Sequence, residues 1–350
     1  MLLVLGATGD TGARIVGEAR RRKLPLLLAA RDVARLQLLA QQQGVDESAV
    51  RVTDLSSQDG LGRALEGVTA VINAVSPAWV YAQRLADAVA RAGIAYTDIS
   101  GDVGTTNQLI QSLGRLARSN GATLVPGAGF SPYCGLTALR LALERLPNAT
   151  HAQIIYSTPS VRPTSGTLAS EPASLLGPSY ELRNGQLVDC NRMGRLRKLE
   201  DGGWGLTRPM LDPVIVAHFL DLESCTTEFE MPLWQAAVVG AGSRIARRAL
   251  RISSLGRVVG RRAVRSTTVT DSPVVHADRN NLVAAHVRNG AKEVSIRLSV
   301  PPVYIVTAIA CASIAEKLLK PDRPVGAISP MALFESGECA AEAASLRPIS

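Results

Sequence analysis

The sequence predicts an α/β protein that has a doubly wound parallel sheet and a second α+β domain built on an antiparallel sheet. Three observations lead to this prediction. Apolar segments typical of strands alternate with amphipathic segments typical of helices over residues 1–130. Separated, partly alternating segments typical of strands follow between 151 and 300. With 350 residues, of which 46% are hydrophobic and 19% charged, the chain is long enough for two globular domains.

The first predicted strand runs directly into a glycine-rich turn. Residues 2–5 are apolar, and residues 6–12 read GATGDTG. In a strand, turn and helix unit, Gly6 allows the turn, Gly9 lets the backbone approach a pyrophosphate, and Gly12 lets the helix pack closely on the strand. The helix that follows directs its first N–H groups and its positive dipole end toward an anion. The stretch therefore predicts a dinucleotide site, the alternative being a turn that serves packing only.

The end of the second predicted strand bears on which dinucleotide binds. Residues 26–30, LLLAA, are continuously apolar, as is typical of a parallel strand buried on both faces. NAD sites usually place an acid near this point to bind the ribose hydroxyls, whereas this chain has Arg31. A guanidinium there can pair with a 2′-phosphate, which favours NADP(H). The alternative is that Asp32 binds the ribose and Arg31 is a solvated loop charge.

Further strands and helices complete the predicted domain at 1–130. The segments typical of strands are 49–55, the second half of 64–77, 95–100 and 122–130, and those typical of helices are 80–93 and 106–119. Ligands of such sheets bind outside the carboxyl ends of the strands, so we expect the residues at those ends to face the cofactor.

The rest of the chain predicts a substrate domain at 131–301 and a final segment at 302–335. The strand-like segments of the substrate domain are 151–158, 226–231 and 292–300. Residues 302–319 are strongly apolar but include Glu316 and Lys317 and lack the unbroken apolar span that a membrane helix needs. We therefore expect a buried helix that returns to the nucleotide-binding domain.

Several motifs identify a family resemblance. They are GATGDTG (6–12), LAAR (28–31), VINAVSP (71–77), AGIAYTDISGD (92–102), LVPGAGFSP (124–132), SGTLAS (165–170), YIVTAIACASIAEKLL (304–319) and VGAISP (325–330). Together they resemble the saccharopine dehydrogenase-like oxidoreductases, and in particular their trans-acting enoyl reductases. No tyrosine precedes a lysine by four positions, so the proton relay of short-chain dehydrogenases is absent from the sequence.

The resemblance implies a Rossmann-type NADP-binding domain and assigns residues to it. The residues around the pyrophosphate would be Gly6, Thr8, Gly9, Asp10, Thr11 and Gly12. Arg31 would meet the 2′-phosphate and Asp54 would lie near the adenine. Ala74, Val75 and Ser76 would approach the nicotinamide ribose.

Hydride transfer to a polarised double bond also needs a proton donor. We expect Tyr133 in this role, and Asp98 or Asp102 as a further catalytic acid. The alternatives are that Tyr133 packs at a domain junction and that residues 100–102 only form a turn.

Histidines and cysteines predict no metal site. The four histidines are isolated in the sequence, and the five cysteines form no C-x-x-C pair. Scattered cysteines are typical of reduced thiols in the cytoplasm. The N-terminal residues include no charged n-region and no cleavage site, so we expect no signal peptide and a cytoplasmic location, with peripheral membrane association left open.

The net charge of +8 is concentrated in one window. Residues 231–270 contain no acid and eight arginines, at 244, 247, 248, 251, 257, 261, 262 and 265. Such a segment is commonly a solvated basic face, but 231–265 is also suited to an acidic carrier protein or an anionic membrane surface. An aromatic content of 4% offers no base-stacking platform, so we expect no nucleic-acid partner. A homodimer is left open.

Two functions from different classes follow from these residues. The first is an NADPH-dependent reductase that acts on a C=C bond, or on a C=N or C=O bond, of an apolar metabolite or carrier-bound intermediate in specialised or lipid metabolism. The second is a non-catalytic NADP sensor that acts through a partner. Binding of NADPH without turnover would favour the sensor.

Overall fold

The computed structural model describes most of the chain as two compact units. The described residues are 1–55, 58–158, 177–190, 195–199, 202–234, 236–238, 240–242, 281–335, 337–339 and 341. The first unit comprises Met1–Ser100, Thr105–Phe130 and Tyr304–Leu333. The second comprises the described parts of Gly101–Gly104, Ser131–Val303 and Phe334–Ser350.

A seven-stranded parallel sheet forms the core of the first unit. Its strands are β1 (Leu2–Leu5), β2 (Leu26–Ala30), β3 (Val50–Val52), β4 (Ala70–Asn73), β5 (Ala95–Asp98), β6 (Thr123–Val125) and β15 (Gly326–Ala327). Their order is β15-β6-β5-β4-β1-β2-β3. The chain runs outward from β1 on one side and from β4 on the other, which confirms the predicted doubly wound sheet and places its switch point between β1 and β4.

Helices connect these strands. They are α1 (Asp10–Arg21), α2 (Val33–Gln43), α3 (Gln58–Ala64), α4 (Ala78–Arg91) and α5 (Val103–Ser119). In α1, Ile15, Val16 and Ala19 are buried, as expected when one face of an amphipathic helix packs on a sheet. Gly44, with a φ of +60°, provides the left-handed cap that ends α2.

Three strands are shorter than the sequence predicts. We expected strands over 49–55, 95–100 and 122–130, but β3 spans only Val50–Val52, β5 ends at Asp98 and β6 ends at Val125. Pro126 has no N–H to donate, and Gly127 adopts a φ of +74°, so the ladder cannot continue past β6. The Ala128 N–H donates instead to the Asp98 carbonyl at 2.6 Å.

The apolar stretch near the C-terminus is a helix of the first unit, α8 (Val303–Leu318), which is assigned to that unit from Tyr304 onward. The Phe130 N–H donates to Thr307 Oγ1 at 3.2 Å, and β15 pairs with β6 beyond the helix. Most of the side chains from Val306 to Leu318 are buried. Among the described residues, no helix combines the length and hydropathy that crossing a membrane requires.

A second sheet organises the second unit. Its strands are β7 (His151–Ser157), β8 (Tyr180–Arg183), β9 (Gln186–Asp189), β10 (Leu196–Lys198), β11 (Trp204–Thr207), β12 (Ser224–Glu230), β13 (Asn281–Asn289) and β14 (Lys292–Val300). The main path is β10-β11-β12-β7-β13-β14, and β8 pairs with both β12 and β9. The predicted antiparallel sheet is present, since most neighbouring strands pair antiparallel, but the sheet is mixed because β7 and β12 pair in parallel. The long connection between them supplies the crossover that parallel strands require.

Two helices contact this second sheet. They are α6 (Phe130–Arg145), whose Gly135 lies against Ile154 and Tyr156 of β7, and α7 (Asp212–Phe219), which contacts β8 and β12. Tyr156 on β7 and Phe229 on β12 are stacked at 5.7 Å on the same sheet face. These rings form part of the core under the helices.

Candidate functional site

The glycine loop lies at the switch point of the parallel sheet. Gly6 has a φ of +77°, and a Cβ there would lie 2.9 Å from the carbonyl carbon and oxygen of Ala74, just after β4. A Cβ on Gly12 would overlap the carbonyl oxygen of Gly6. Only glycine therefore allows α1, the loop and the end of β4 to approach so closely, which is the cradle that a pyrophosphate needs.

The N-terminus of α1 faces the same loop. Gly9 is its N-cap in an extended conformation, and no side-chain hydrogen bond caps the helix there. The first-turn N–H groups of a helix have no intrahelical acceptor and carry its positive dipole end, so they suit a phosphate oxygen. Thr8 and Thr11 are partly exposed beside them, and Asp10 is exposed. The predicted pyrophosphate residues thus form one contiguous segment.

Two arginines follow β2. Arg31 is exposed directly after the strand, and Arg35 on α2 donates to the Thr8 carbonyl oxygen at 3.4 Å. The Asp32 carboxylate accepts from the Arg35 N–H at 3.0 Å and caps α2. One oxygen of Asp32 therefore has a structural partner, and Arg35 is a second guanidinium near the glycine loop that sequence reasoning missed. A signal was available, since Arg35 lies in the first turn of the helix that follows the second strand, close to Arg31 in sequence.

Residues predicted to approach adenine and nicotinamide follow β3 and β4. Asp54 is exposed two residues after β3, and Ser76 is exposed after β4. Ala74 and Val75 are partly buried, and the Val75 N–H donates to Asn73 Oδ1 at 3.0 Å. The Asn73 side chain therefore orients the backbone of the loop after β4.

Asn73 belongs to a buried network that also contains Asp98. Asn73 Nδ2 donates to Tyr96 Oη at 3.1 Å, and Tyr96 Oη donates to Asp98 Oδ2 at 2.8 Å. Asp98 Oδ1 accepts from the N–H groups of Ser100 and Gly127, each at 3.0 Å. Burial raises the pKa of Tyr96, and the Asp98 charge raises it further, so this phenol is a donor throughout the physiological range.

The network gives Asp98 a positioning role. The side chain is 2% exposed and connects β5 with the loop after β6 and, through Tyr96 and Asn73, with the loop after β4. A direct catalytic role for Asp98 stays a prediction. Asn73 and Tyr96 were missed in the sequence, although Asn73 is a polar residue at the end of an apolar strand.

Tyr96→Phe tests this network. The substitution leaves Asn73 Nδ2 without its acceptor and removes one donor from a buried carboxylate, so we expect the free energy of unfolding to fall by about 1–3 kcal/mol. Chemical denaturation measures it. Tyr81→Phe, at a partly exposed position on α4, is the matched control and should change little. Equal stability of both variants would contradict the proposed network.

The other two predicted catalytic residues belong to the second unit. Tyr133 lies on α6, is 0% exposed, and packs edge-to-face on Phe334 with ring centroids 6.3 Å apart. Asp102 is partly exposed in the segment Gly101–Gly104. Both assignments stay predictions.

A second polar cluster, missed in the sequence, surrounds Asp212 in the second unit. The carboxylate is 0% exposed and accepts from Tyr156 Oη at 2.7 Å and from Ser131 Oγ at 3.1 Å. Burial raises the pKa of Asp212 to about 6, although both hydrogen bonds act in the opposite direction. A Cβ on Gly135 would overlap Tyr156 Oη and Asp212 Oδ1, so this position of α6 requires glycine.

The polar face of the second sheet holds another buried acid. Glu228 on β12 is 0% exposed, and burial raises its pKa to about 7. The nearby Arg197 guanidinium, 3.1 Å from Glu228 Oε1, acts in the opposite direction. Arg197 also contacts Glu181 on β8 at 3.1 Å, so Glu181 and Glu228 share the charge of one guanidinium.

Some predicted features lie outside the described residues. These are the SGTLAS motif at 165–170, His276 and all eight arginines of the basic window. Among the described residues, no group of three or more potential metal ligands is found.

Comparison with known proteins supports the nucleotide-binding assignment. Residues 6–120 match the family described as NAD(P)H-binding. A probable mitochondrial saccharopine dehydrogenase-like oxidoreductase from Arabidopsis thaliana is 26% identical over 251 residues, which are 63% of this chain and 55% of that protein. A lipid droplet localized protein from Caenorhabditis elegans is 28% identical over 139 residues, which are 37% of this chain and 33% of that protein. The chain thus spans only a third to about half of the length of these relatives.

The fold has a solved counterpart. Apo saccharopine dehydrogenase (L-Glu forming) from Saccharomyces cerevisiae superposes with a TM-score of 0.56 at 11% identity, over 98% of this chain and 95% of that one. The resemblance to saccharopine dehydrogenase-like oxidoreductases that the sequence motifs indicated is therefore confirmed, whereas the resemblance to their trans-acting enoyl reductases stays a prediction. The chain carries an NAD(P)H-binding domain and is similar to saccharopine dehydrogenase-like oxidoreductases in sequence and to saccharopine dehydrogenase in fold.

Proposed function

We propose that this protein is an NADPH-dependent oxidoreductase that reduces a C=C bond, or a C=N or C=O bond, of an apolar metabolite. The observation that carries the proposal is the glycine loop at the switch point, where Gly6 and Gly12 leave no room for a side chain. The match of residues 6–120 to an NAD(P)H-binding family supports the same cofactor class.

The arginines after β2 favour NADPH over NADH. Arg31 and Arg35 are both exposed at the carboxyl end of β2, where a 2′-phosphate of the adenosine ribose would lie. Asp32, the competing ribose ligand, caps α2 with one carboxylate oxygen. A guanidinium pairs with phosphate through two parallel N–H donors, which a ribose hydroxyl cannot match.

Arg31→Ala tests the choice of cofactor. We expect it to weaken NADPH binding by about 1.5–3 kcal/mol and NADH binding much less, because a charge-assisted pair with the 2′-phosphate is lost. Fluorescence titration with each nucleotide measures both affinities. Arg145→Ala, which removes an exposed guanidinium from α6 in the second unit, is the control. An equal loss for the two nucleotides would show that Arg31 does not contact the 2′-phosphate.

Different residues of the chain would bind the cofactor, orient it and donate the proton in such a reaction. NADPH, when bound, supplies the hydride. The N-terminus of α1 would hold the pyrophosphate, and Arg31 would hold the 2′-phosphate. The loop at 74–76, oriented by Asn73, would hold the nicotinamide ribose. Asp98 and Tyr96 keep that loop in register with the ends of β5 and β6, and Tyr133 is the predicted proton donor.

An apolar substrate is supported by two indications. The sequence motifs resemble those of trans-acting enoyl reductases. One relative is a lipid droplet localized protein. A panel of enones, imines and ketones of increasing chain length, with NADPH oxidation as the measurement, tests both the bond and the substrate class.

One observation favours a non-catalytic NADP sensor as the alternative function. Tyr133 and Asp98 are 0% and 2% exposed, so neither predicted proton-transfer group is open to solvent. Tight NADPH binding without oxidation by any member of the panel would support the sensor. Turnover that Tyr133→Phe abolishes would support the reductase and its predicted donor.

A further inference from the structure

An outward-facing apolar surface lies on the second unit. Residues 233–242, apart from 235 and 239, are helical, and the Ala236 N–H donates to the Pro232 carbonyl oxygen at 3.0 Å. Leu233 is 48% exposed, Trp234 68% and Val238 67%. These side chains are large, so their exposure requires an explanation.

This helix exposes an apolar face to solvent instead of burying it. At about 100° per residue, one arc of about 140° contains five of its residues. They are Leu233, Trp234, Ala237, Val238 and Ala241, all apolar and all exposed or partly exposed. The buried Ala236 and Gly240 lie outside this arc, on the side of the helix next to Leu233. A surface helix normally directs polar side chains to solvent and apolar ones to the core.

A second tryptophan adjoins this helix. The Met231 N–H donates to the Trp204 carbonyl oxygen at 3.2 Å, and the Trp204 side chain is 38% exposed. Lys198, also exposed, lies opposite Trp204 in the β10 and β11 pair. We call Trp204, Leu233, Trp234 and Val238 the tryptophan patch.

We propose that the tryptophan patch inserts into an anionic lipid surface. Tryptophan is suited to the boundary between headgroups and acyl chains, because its ring is apolar and its indole N–H can meet the polar layer. The patch is small and helical, so its insertion is shallow and parallel to the surface. This inference does not depend on the reductase activity proposed above.

Charge identifies the lipid surface as the occupant. The sequence that follows the patch contains eight arginines and no acid up to residue 270. A second copy of the chain would bring two such runs together across a symmetric interface, which like charges oppose. An acidic protein would match the arginines, and its binding is one of the outcomes that the test below distinguishes. An anionic lipid surface satisfies both the arginines and the apolar arc.

Co-sedimentation of the full chain with lipid vesicles tests the proposal. The probes are vesicles of phosphatidylcholine alone and of phosphatidylcholine mixed with phosphatidylglycerol. We expect binding to the anionic vesicles and a loss of about tenfold or more in Leu233→Ser combined with Val238→Ser, because losing the burial of one large aliphatic side chain is worth about that factor. The matched control is Leu38→Ser combined with Val325→Ser, which removes one exposed leucine and one exposed valine from the first unit and should bind as the parent does.

Four further measurements decide the outcome. Trp234→Ser alone should also weaken vesicle binding, and all variants should retain the parent's NADPH affinity, which shows that they fold. The proposal is wrong if the parent does not prefer anionic vesicles, or if the patch variants bind them as the control does. It is also wrong if the patch variants only dissociate an oligomer in sedimentation velocity, or only lose binding to an acidic acyl carrier protein.

Discussion

Replacing Gly12 with alanine is expected to lower the free energy of unfolding by about 3 kcal/mol and to weaken NADPH binding more than tenfold. The added Cβ would overlap the carbonyl oxygen of Gly6, which is backbone and cannot move aside as a flexible side chain would. Overpacking of this kind displaces the chain at a cost of about 1–3 kcal/mol, and here the displaced atoms belong to the cofactor loop. Chemical denaturation and nucleotide titration measure the two effects.

Gly62→Ala is the matched control for this prediction. Gly62 lies on α3, and a Cβ there would have no heavy atom within 4 Å. Alanine at an open helical position should leave NADPH affinity unchanged and raise stability slightly, by up to about 1 kcal/mol. If Gly12→Ala behaved as Gly62→Ala does, close packing between α1 and the loop would not be what the cofactor site requires.

Asp212→Asn is expected to remove a pH dependence of stability on the order of 3 kcal/mol. Burial raises the pKa of Asp212 from 3.8 to about 6, and this difference corresponds to that free energy. Between about pH 4 and pH 6 the folded state holds a proton on Asp212 that the unfolded state has released. Stability therefore falls as pH rises through this window and is flat, for this group, above it.

The asparagine variant should lack this decline, because its amide is neutral at every pH. Its carbonyl oxygen can still accept from Tyr156 Oη, and its NH2 group can donate to Ser131 Oγ, which is both a donor and an acceptor. Denaturant unfolding of parent and variant at matched pH values between 4 and 7 measures the difference. The comparison at each pH cancels the contribution of Glu228, whose raised pKa acts in the same direction over a higher range.

Tyr156→Phe should change the pH dependence of stability in the opposite sense to Asp212→Asn. Loss of the 2.7 Å hydrogen bond should raise the pKa of Asp212 further, because that bond stabilises the charged form. The decline in stability should then extend above pH 6. Identical pH profiles in the parent and in both variants would show that Asp212 does not titrate as its burial implies.

The positions of the predicted cofactor segments at the ends of the strands could largely be predicted from the sequence. The glycine loop, Arg31 and the loop at 74–76 each follow an apolar run, and a local pattern of that kind encodes where a strand ends. Once the strands are parallel, their carboxyl ends lie along one edge, so residues distant in sequence can be assigned to one site. The choice between NADPH and NADH could not be settled this way, because Asp32 follows Arg31 immediately and either side chain could face the ribose.

The sequence alone determined the fold class, the order of the elements and the position of the dinucleotide loop, because periodicity and glycine spacing are local properties of the chain. Only the tertiary structure decided which buried polar groups meet. Asn73 and Tyr96 are 23 residues apart, Tyr156 and Asp212 are 56 apart, and Ser131 and Asp212 are 81 apart. Such hydrogen bonds depend on strand register and helix packing, and so does the parallel pairing of β7 with β12. Strand register and helix packing cannot be predicted from a local sequence pattern.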